Sequence, residues 1–392
     1  MDVITDRLQA KNKDGALETL ICLDQRTIEK QKKIQTYFCP VCNEQVIIRA
    51  GTSKIAHFAH LPNNSCPVSR EGEGIYHEIG KLHLFQWLKK QHIRTQLEYY
   101  IPKIKQRADL FLTIGHKQIA IEFQCATISA KEIIKRTIGY QQVNIIPIWI
   151  LGGNRMKRVD TNTLLLSSSD YLYIHKYSKI SPLFMYYYCP DTNQFSIFQH
   201  ILLTGKKKTF GNLQFRRLGD ILLTDLWKEE STVNNLMDQW LANKIRFRTI
   251  MSPHISSAEK EWRQSLYLMR LQPSLLPSIV NLPVPGQYQM RCAPWIWQSK
   301  ICFELLIPDR VVTRNMCYQL LRPFEFNQNH FPLIRCPDDP IIDYLYLLTK
   351  LDYLKQISPT SFRVIKQVVY PNHIEDAIEQ DKKLFINLKT CK

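Results

Sequence analysis

Two short runs rich in β-formers stand out. Arg107-Ala108-Asp109-Leu110-Phe111-Leu112 and Ile119-Ala120-Ile121-Glu122-Phe123-Gln124 flank Gly115-His116, a pattern that predicts a β-hairpin. Strand alternation puts Ile119, Ile121 and Phe123 on one face and Glu122 and Gln124 on the other, with Asp109 reaching that polar face from the preceding strand. Upstream, Ile75, Ile79 and Leu82 are spaced for one face of a helix over residues 75–91, with Glu78 on or beside the buried stripe and His77 turned to solvent. Residues 96–101 predict a strand closed by Pro102. Ser129-Ala130-Lys131-Glu132 is a capping box that opens a second helix. On that helix Glu132, Arg136 and Tyr140 recur at i+4 spacing, with Ile133, Ile134 and Ile138 beside them. Residues 145–151 read as a strand ending at Gly152-Gly153, and Pro147 argues for an edge position or a bulge. The order over 75–153 is therefore helix, three strands, helix, strand.

Outside that core the texture changes. Leu17-Glu18-Thr19-Leu20-Ile21-Cys22 predicts a small β element, followed by a charged segment, and Arg70-Glu71-Gly72-Glu73-Gly74 reads as a linker. Residues 183–188 and 195–200 flank Pro190-Asp191-Thr192-Asn193, a second hairpin pattern. Helical spacing predicts helices over 233–247, 258–271, 342–357 and 375–385, with Leu282-Pro283-Val284-Pro285-Gly286 as a break. The expected organisation is an α/β core over 71–153, preceded by a β module over 1–70. A basic β and loop region over 154–220 and a mainly helical domain over 221–392 follow.

Composition narrows the partners. The 392 residues carry 52 Lys and Arg against 35 Asp and Glu, a net charge of +17, and the excess is spread along the chain. A balance this basic favours nucleic acid, then an anionic membrane surface, and disfavours a pure protein scaffold. Apolar content of 45% supports full cores and excludes a disordered chain. No apolar run approaches the roughly 20 residues that a spanning helix needs. The polar start, Met1-Asp2-Val3-Ile4-Thr5-Asp6, lacks a secretory pattern, so a cytoplasmic protein with reduced thiols is expected.

Candidate chemistry sits in three places. Asp109, Glu122 and Gln124, brought together across the hairpin, suit a hard, oxygen-ligated cation such as Mg²⁺, with Glu78 as a further candidate; the same pattern also fits a solvated sheet face. Cys39-Pro40-Val41-Cys42 is a knuckle in which two thiolates can bind one ion. His57, His60 and Cys66 are candidates to close a structural Zn²⁺ tetrahedron, unless the β module stands without metal. Lys206-Lys207-Lys208-Thr209-Phe210 followed by Phe215-Arg216-Arg217 is the densest basic run with interleaved aromatics, suited to a single-stranded backbone with bases on Phe210 or Phe215. Trp295 and Trp297 fit a core or an interface better, and Cys292, Cys302, Cys317 and Cys336 read as ordinary buried thiols.

The order of elements, with Glu78, Asp109 and then Glu122-Phe123-Gln124, resembles the PD-(D/E)XK nuclease superfamily. Joined to Cys39-Pro-Val-Cys42, His57-Phe-Ala-His60 and the Arg136/Tyr140 helix ahead of Ile148-Trp149-Ile150, the whole resembles the CoiA family of bacterial competence proteins. The matching motifs span roughly residues 37–153. The resemblance implies an αβββαβ restriction-endonuclease-like core with a zinc-ribbon-like module before it. It implies Asp109 and Glu122 as ligands of Mg²⁺ or Mn²⁺, Glu78 in support, and Arg136 or Lys135, near Tyr140, at the phosphate. Gln124 stands where the superfamily usually has Lys, so it orients water without supplying charge. The implied role is hydrolysis of incoming single-stranded DNA or recombination intermediates in natural transformation. The alternative is a non-catalytic DNA-binding factor that assists the recombinase or other competence proteins.

Overall fold

A computed structural model describes residues 6–7, 9–20, 23–40, 42–50, 56–61, 66, 74–230, 234–250, 255–325 and 330–390. Ile21, Cys22, Val41, residues 70–73 and the expected helix start at Val233 lie outside the described residues. The chain divides into two compact units, one of residues 1–156, 185–197 and 214–228, the other of 157–184, 198–213 and 229–392.

The first unit begins with β1 (Asp6–Arg7), β2 (Gln9–Lys11), β3 (Leu17–Thr19), α1 (Gln25–Ile34), β4 (Tyr37–Phe38), β5 (Gln45–Arg49) and β6 (His57–His60). The charged segment after the first strands is helix α1: the Asp24 side chain accepts the Thr27 N–H at 2.8 Å and starts it. The strands pair antiparallel in the order β1-β6-β5-β4-β2-β3, which is more sheet than a bare ribbon. Ala10, Leu20, Ile28, Tyr37, Val46, Ile48 and Phe58 fill its core.

The expected core order follows: α2 (Ile75–Lys90), β7 (Arg94–Ile101), β8 (Gln106–Ile114), β9 (Lys117–Gln124), α3 (Ala130–Gln142) and β10 (Ile145–Gly152). Gly115, at φ +56°, takes the first position of the two-residue turn between β8 and β9. Ser129 Oγ accepts the Glu132 N–H at 3.2 Å and caps α3. The ladders β7–β8 and β8–β9 are antiparallel, β9–β10 is parallel, and β10 continues in parallel to β13 (Phe184–Cys189). Pro147 is therefore not on an edge strand. It pairs with Ala120 of β9, while pairing with β13 starts only at Ile150, so the proline occupies the stretch of β10 laddered on one side. No helix among the described residues is long and apolar enough to cross a membrane.

The second unit holds a small sheet edge, β11 (Arg158–Asp160) and β12 (Thr163–Leu165), the latter paired with Lys208, Thr209 and Phe210. After β14 (Gln194–Leu203) and β15 (Lys208–Arg217) come α4 (Asn234–Thr249), α5 (Ser257–Leu268), α6 (Pro294–Leu305), β16 (Val311–Thr313), α7 (Arg314–Leu321), α8 (Pro340–Lys350), β17 (Leu354–Ser358), β18 (Ser361–Val364) and α9 (Ile374–Thr390). The helix expected over 342–357 ends early. Asp352 takes the left-handed conformation (φ +58°), and residues 354–358 form a strand of the β16-β18-β17 sheet. Trp240, Trp262, Trp295, Trp297 and Tyr344 anchor the helical core. Fully buried Asp381 of α9 binds Arg248 of α4 through two hydrogen bonds, at 2.6 and 2.9 Å, and Lys244 at 3.1 Å. The Cys292, Cys302 and Cys317 thiols are buried and pushed up to about 12 by desolvation, so they stay protonated.

Candidate active site and metal centre

Helix α2 hides a polar stripe. His77, Glu78 and Lys81 are buried along with Leu84, Trp87 and Leu88, whereas Ile75 is 44% exposed. Gly80 makes this approach possible: a Cβ there would lie 2.0 Å from the Phe123 ring of β9. His77, expected at the surface, instead stacks on Phe123 with centroids 5.6 Å apart and brings Nε2 to 3.6 Å from Asp109 Oδ2. Lys81 Nζ pairs with Glu98 Oε1 at 2.8 Å, and Arg107 approaches Glu98 Oε2 at 3.5 Å. Glu98 holds a left-handed backbone (φ +52°) inside β7, a strained conformation for a residue with a Cβ. None of these three residues carried a signal in the sequence pattern.

The β8–β9 ladder stops at Leu110↔Ile121, one step short of Asp109 and Glu122. There the Asp109 side chain takes over from the backbone: Oδ2 accepts the Phe123 N–H at 2.9 Å, which ties it to the residue next to Glu122. Glu122 is buried against α3, where Oε1 accepts from both Arg136 Nη2 and the Tyr140 hydroxyl. Arg136 also donates to the Arg107 carbonyl at 3.1 Å and lies 5.9 Å from the Trp149 ring centroid. Burial first, then the Glu122 charge, holds the Tyr140 hydroxyl well above its ordinary range, so it remains a donor. Of the α3 face read from the sequence as polar, Arg136 and Tyr140 are therefore buried and Glu132 is half-buried, and Lys135 beside it is exposed. Gln124 turns its amide to the Ala126 carbonyl at 2.8 Å.

Charge decides what this interior suits. Among the described residues of the first unit, the buried carboxylates are Glu78, Glu98, Asp109 and Glu122, and the buried lysines and arginines are Lys81, Arg107 and Arg136. Buried His77, 3.6 Å from Asp109, evens that count when it is protonated; with His77 neutral the ionised groups leave a negative charge in low dielectric, a costly state that a cation offsets. Mg²⁺ is commonly held by one or two carboxylates plus water and phosphate; Asp109 and Glu122 stand on neighbouring strands, Asp109 beside His77 of α2 and Glu122 against Arg136 and Tyr140 of α3. Glu78 does not join them in a compact ligand cluster among the described residues.

The second centre is compact. The ligand atoms of Cys39, Cys42, His60 and Cys66 lie within 4.8 Å of one another. A tetrahedral zinc site, with metal–sulfur bonds of about 2.3 Å, needs its sulfurs roughly 3.8 Å apart, so the four need draw together by no more than about an ångström. Asn43, at φ +59°, turns the knuckle, and Cys42 N–H reaches Cys39 Sγ at 3.4 Å. Cys42 Sγ lies 3.3 Å from His60 Nε2. Burial pushes the Cys42 thiol up to about 12. His57 is buried on the same strand but outside this group, since side chains three apart on a strand face opposite ways.

The basic run divides. Phe210 is 2% exposed and packs on Trp240, so it offers no face to a base. Lys206 Nζ lies 3.2 Å from Glu259 and 5.1 Å from the Trp295 ring centroid, and Lys208 covers Phe210. Lys207 is exposed. In the first unit, Phe215, Arg216 and Arg217 are exposed.

Comparison with known proteins places these features. Three family models match in tandem: the competence protein CoiA N-terminal domain over residues 20–69, its nuclease-like domain over 73–231 and its C-terminal domain over 236–378. The chain is 29% identical over 364 residues to competence protein CoiA of Bacillus subtilis (strain 168), covering 90% of this chain and 96% of that one. No solved structure matches. The succession of all three domains along one chain, in the order of the relative's near-complete length, makes this protein a member of the competence protein CoiA family.

Proposed function

We propose that this protein hydrolyses phosphodiester bonds of incoming single-stranded DNA or recombination intermediates during natural transformation, in a Mg²⁺- or Mn²⁺-dependent reaction. The observation that carries the reading is the tie between Asp109 and the backbone beside Glu122, inside an interior that buries four carboxylates, Glu78, Glu98, Asp109 and Glu122. Asp109 and Glu122 would hold the cation, with Glu78 behind them on α2. A bound divalent ion supplies an acidified water and charge for the leaving oxygen. His77 keeps the Asp109 carboxylate in place by contact and by stacking on Phe123. Arg136 neutralises the scissile phosphate, assisted by exposed Lys135. Gln124 orients water through its amide.

The test is cleavage of labelled single-stranded, duplex and branched DNA with Mn²⁺ or EDTA. Asp109→Ala with Glu122→Ala is expected to abolish metal-dependent cleavage and leave DNA binding largely intact; cleavage that persists removes the site assignment. A second reading, a non-catalytic DNA-binding factor that assists the recombinase, is favoured by one observation: the neutral Gln124 amide is turned to Ala126. That reading predicts equal DNA binding and no cleavage in the wild type.

A further inference from the structure

We infer that Arg136 is a latch on the metal site, opened by the DNA phosphate itself. This rests on the proposed cation site at Asp109 and Glu122. Arg136 Nη2 and the Tyr140 hydroxyl both engage Glu122 Oε1. One oxygen of the carboxylate that would bind a cation is thus already bound to a positive charge. The guanidinium is not loosely placed: the Arg107 carbonyl, the Trp149 ring and burial hold it there. A divalent ion at the same carboxylate meets a like charge in a medium that screens poorly. Removing the guanidinium without replacement would leave it buried and unpaired, which is costly.

A phosphodiester resolves both problems. Its oxygens match a guanidinium fork and draw Arg136 off Glu122. The freed carboxylate then accepts the cation, whose charge the nearby phosphate also offsets. Metal and DNA therefore bind cooperatively, and the coupling is reciprocal: each raises the affinity of the other by the same factor. Without DNA the carboxylate stays closed, which keeps an unloaded chain from assembling a reactive water. Tyr140 has a lesser share, because it contributes a neutral donor that can stay on Glu122 when a cation arrives.

The experiment follows Mn²⁺ by its electron paramagnetic resonance signal. Full-length protein is titrated in, with and without a hydrolysis-resistant phosphorothioate oligodeoxynucleotide. Binding to the oligonucleotide alone is subtracted, and the Asp109→Asn variant isolates the part due to this site. In the wild type, the oligonucleotide is expected to tighten Mn²⁺ binding at least about fivefold, the lower end for coupled sites. Arg136→Met is expected to bind Mn²⁺ more tightly than the wild type without DNA and to gain less from the oligonucleotide than the wild type does. Wild-type binding indifferent to the oligonucleotide overturns the latch, as does an Arg136→Met variant no tighter than wild type. Should Arg136→Met fail to fold by circular dichroism, the wild-type arms still decide. If no Asp109-dependent Mn²⁺ binding occurs in any arm, the cation site itself is wrong. If it occurs but shows no coupling, only the latch is.

Discussion

At the scale of single residues, burial sets protonation. His175 is 1% exposed, stacks on Tyr177 and pairs backbone to backbone with Phe184. Desolvation pushes it down to about 3 from an ordinary 6.5. A base whose folded value is depressed is neutral in the fold, while the unfolded chain takes up a proton below 6.5. Its contribution is therefore intact above that value and is lost as pH falls toward 3, by about 2 kcal/mol at pH 5. Urea unfolding of wild type and His175→Phe at pH 7.5 and pH 5 measures this. The wild type is expected to lose about 2 kcal/mol more than the variant across that step; equal losses would discard the assignment. The same principle separates what the sequence disclosed at the active site from what it did not. Glu122 and the apolar trio Ile119, Ile121 and Phe123 could be read because a strand's period is 2 and its face follows directly. His77 could not. Its stripe on α2 is polar, and only the Phe123 ring beneath and the Asp109 carboxylate beside it make burial favourable.

Elements were legible where local chemistry and tertiary context agree. The α3 cap at Ser129 and the β8–β9 turn at Gly115 carry their own instructions. The stretch from Leu351 to Ile357 does not, because its apolar spacing suits a helix as well as a strand, and the left-handed turn at Asp352 decides between them. Lys81, Glu98 and Arg107 are further from view, since three elements must meet before any of them has a partner. The N-terminal module shows the intermediate case. Its knuckle was readable, but the choice of His60 over His57 needed the strand's actual facing. We propose zinc there, because three thiols and an imidazole are its preferred donors. Metal analysis of the purified chain should find about one zinc per chain, bound through Cys39, Cys42, His60 and Cys66. Cys39→Ser with Cys42→Ser should lose the metal and lower the melting temperature, whereas His57→Ala should retain the metal. An unchanged zinc content in the double variant would exclude this site.

On the scale of the whole molecule, the interior and the surface divide the charge differently. The buried carboxylates of the first unit match or outnumber its buried cations, yet the chain as a whole carries a net +17, so the excess of lysine and arginine lies mainly outside that interior. Such a surface suits a polyanion at long range, and the proposed hydrolysis would fall to the buried carboxylates. Exposed Lys135, Lys207, Arg216 and Arg217 are the candidates for backbone contact, whereas Lys206, paired with Glu259, is partly spent on its own fold. Phe210 is core and of the two aromatic candidates only Phe215 is exposed, so DNA bound here is expected to be held through phosphates more than through stacking, with an affinity that depends steeply on salt. A footprint of about five phosphates on a single strand predicts a log–log slope near −3.5, or roughly a hundredfold loss of affinity from 50 to 200 mM salt. Fluorescence anisotropy with a labelled oligonucleotide measures it. Lys207→Ala with Arg216→Ala and Arg217→Ala should lower the slope's magnitude by about 2 and weaken binding to all sequences alike. A slope near zero would mean that the basic surface is not where DNA lies, and that the charge serves another polyanion.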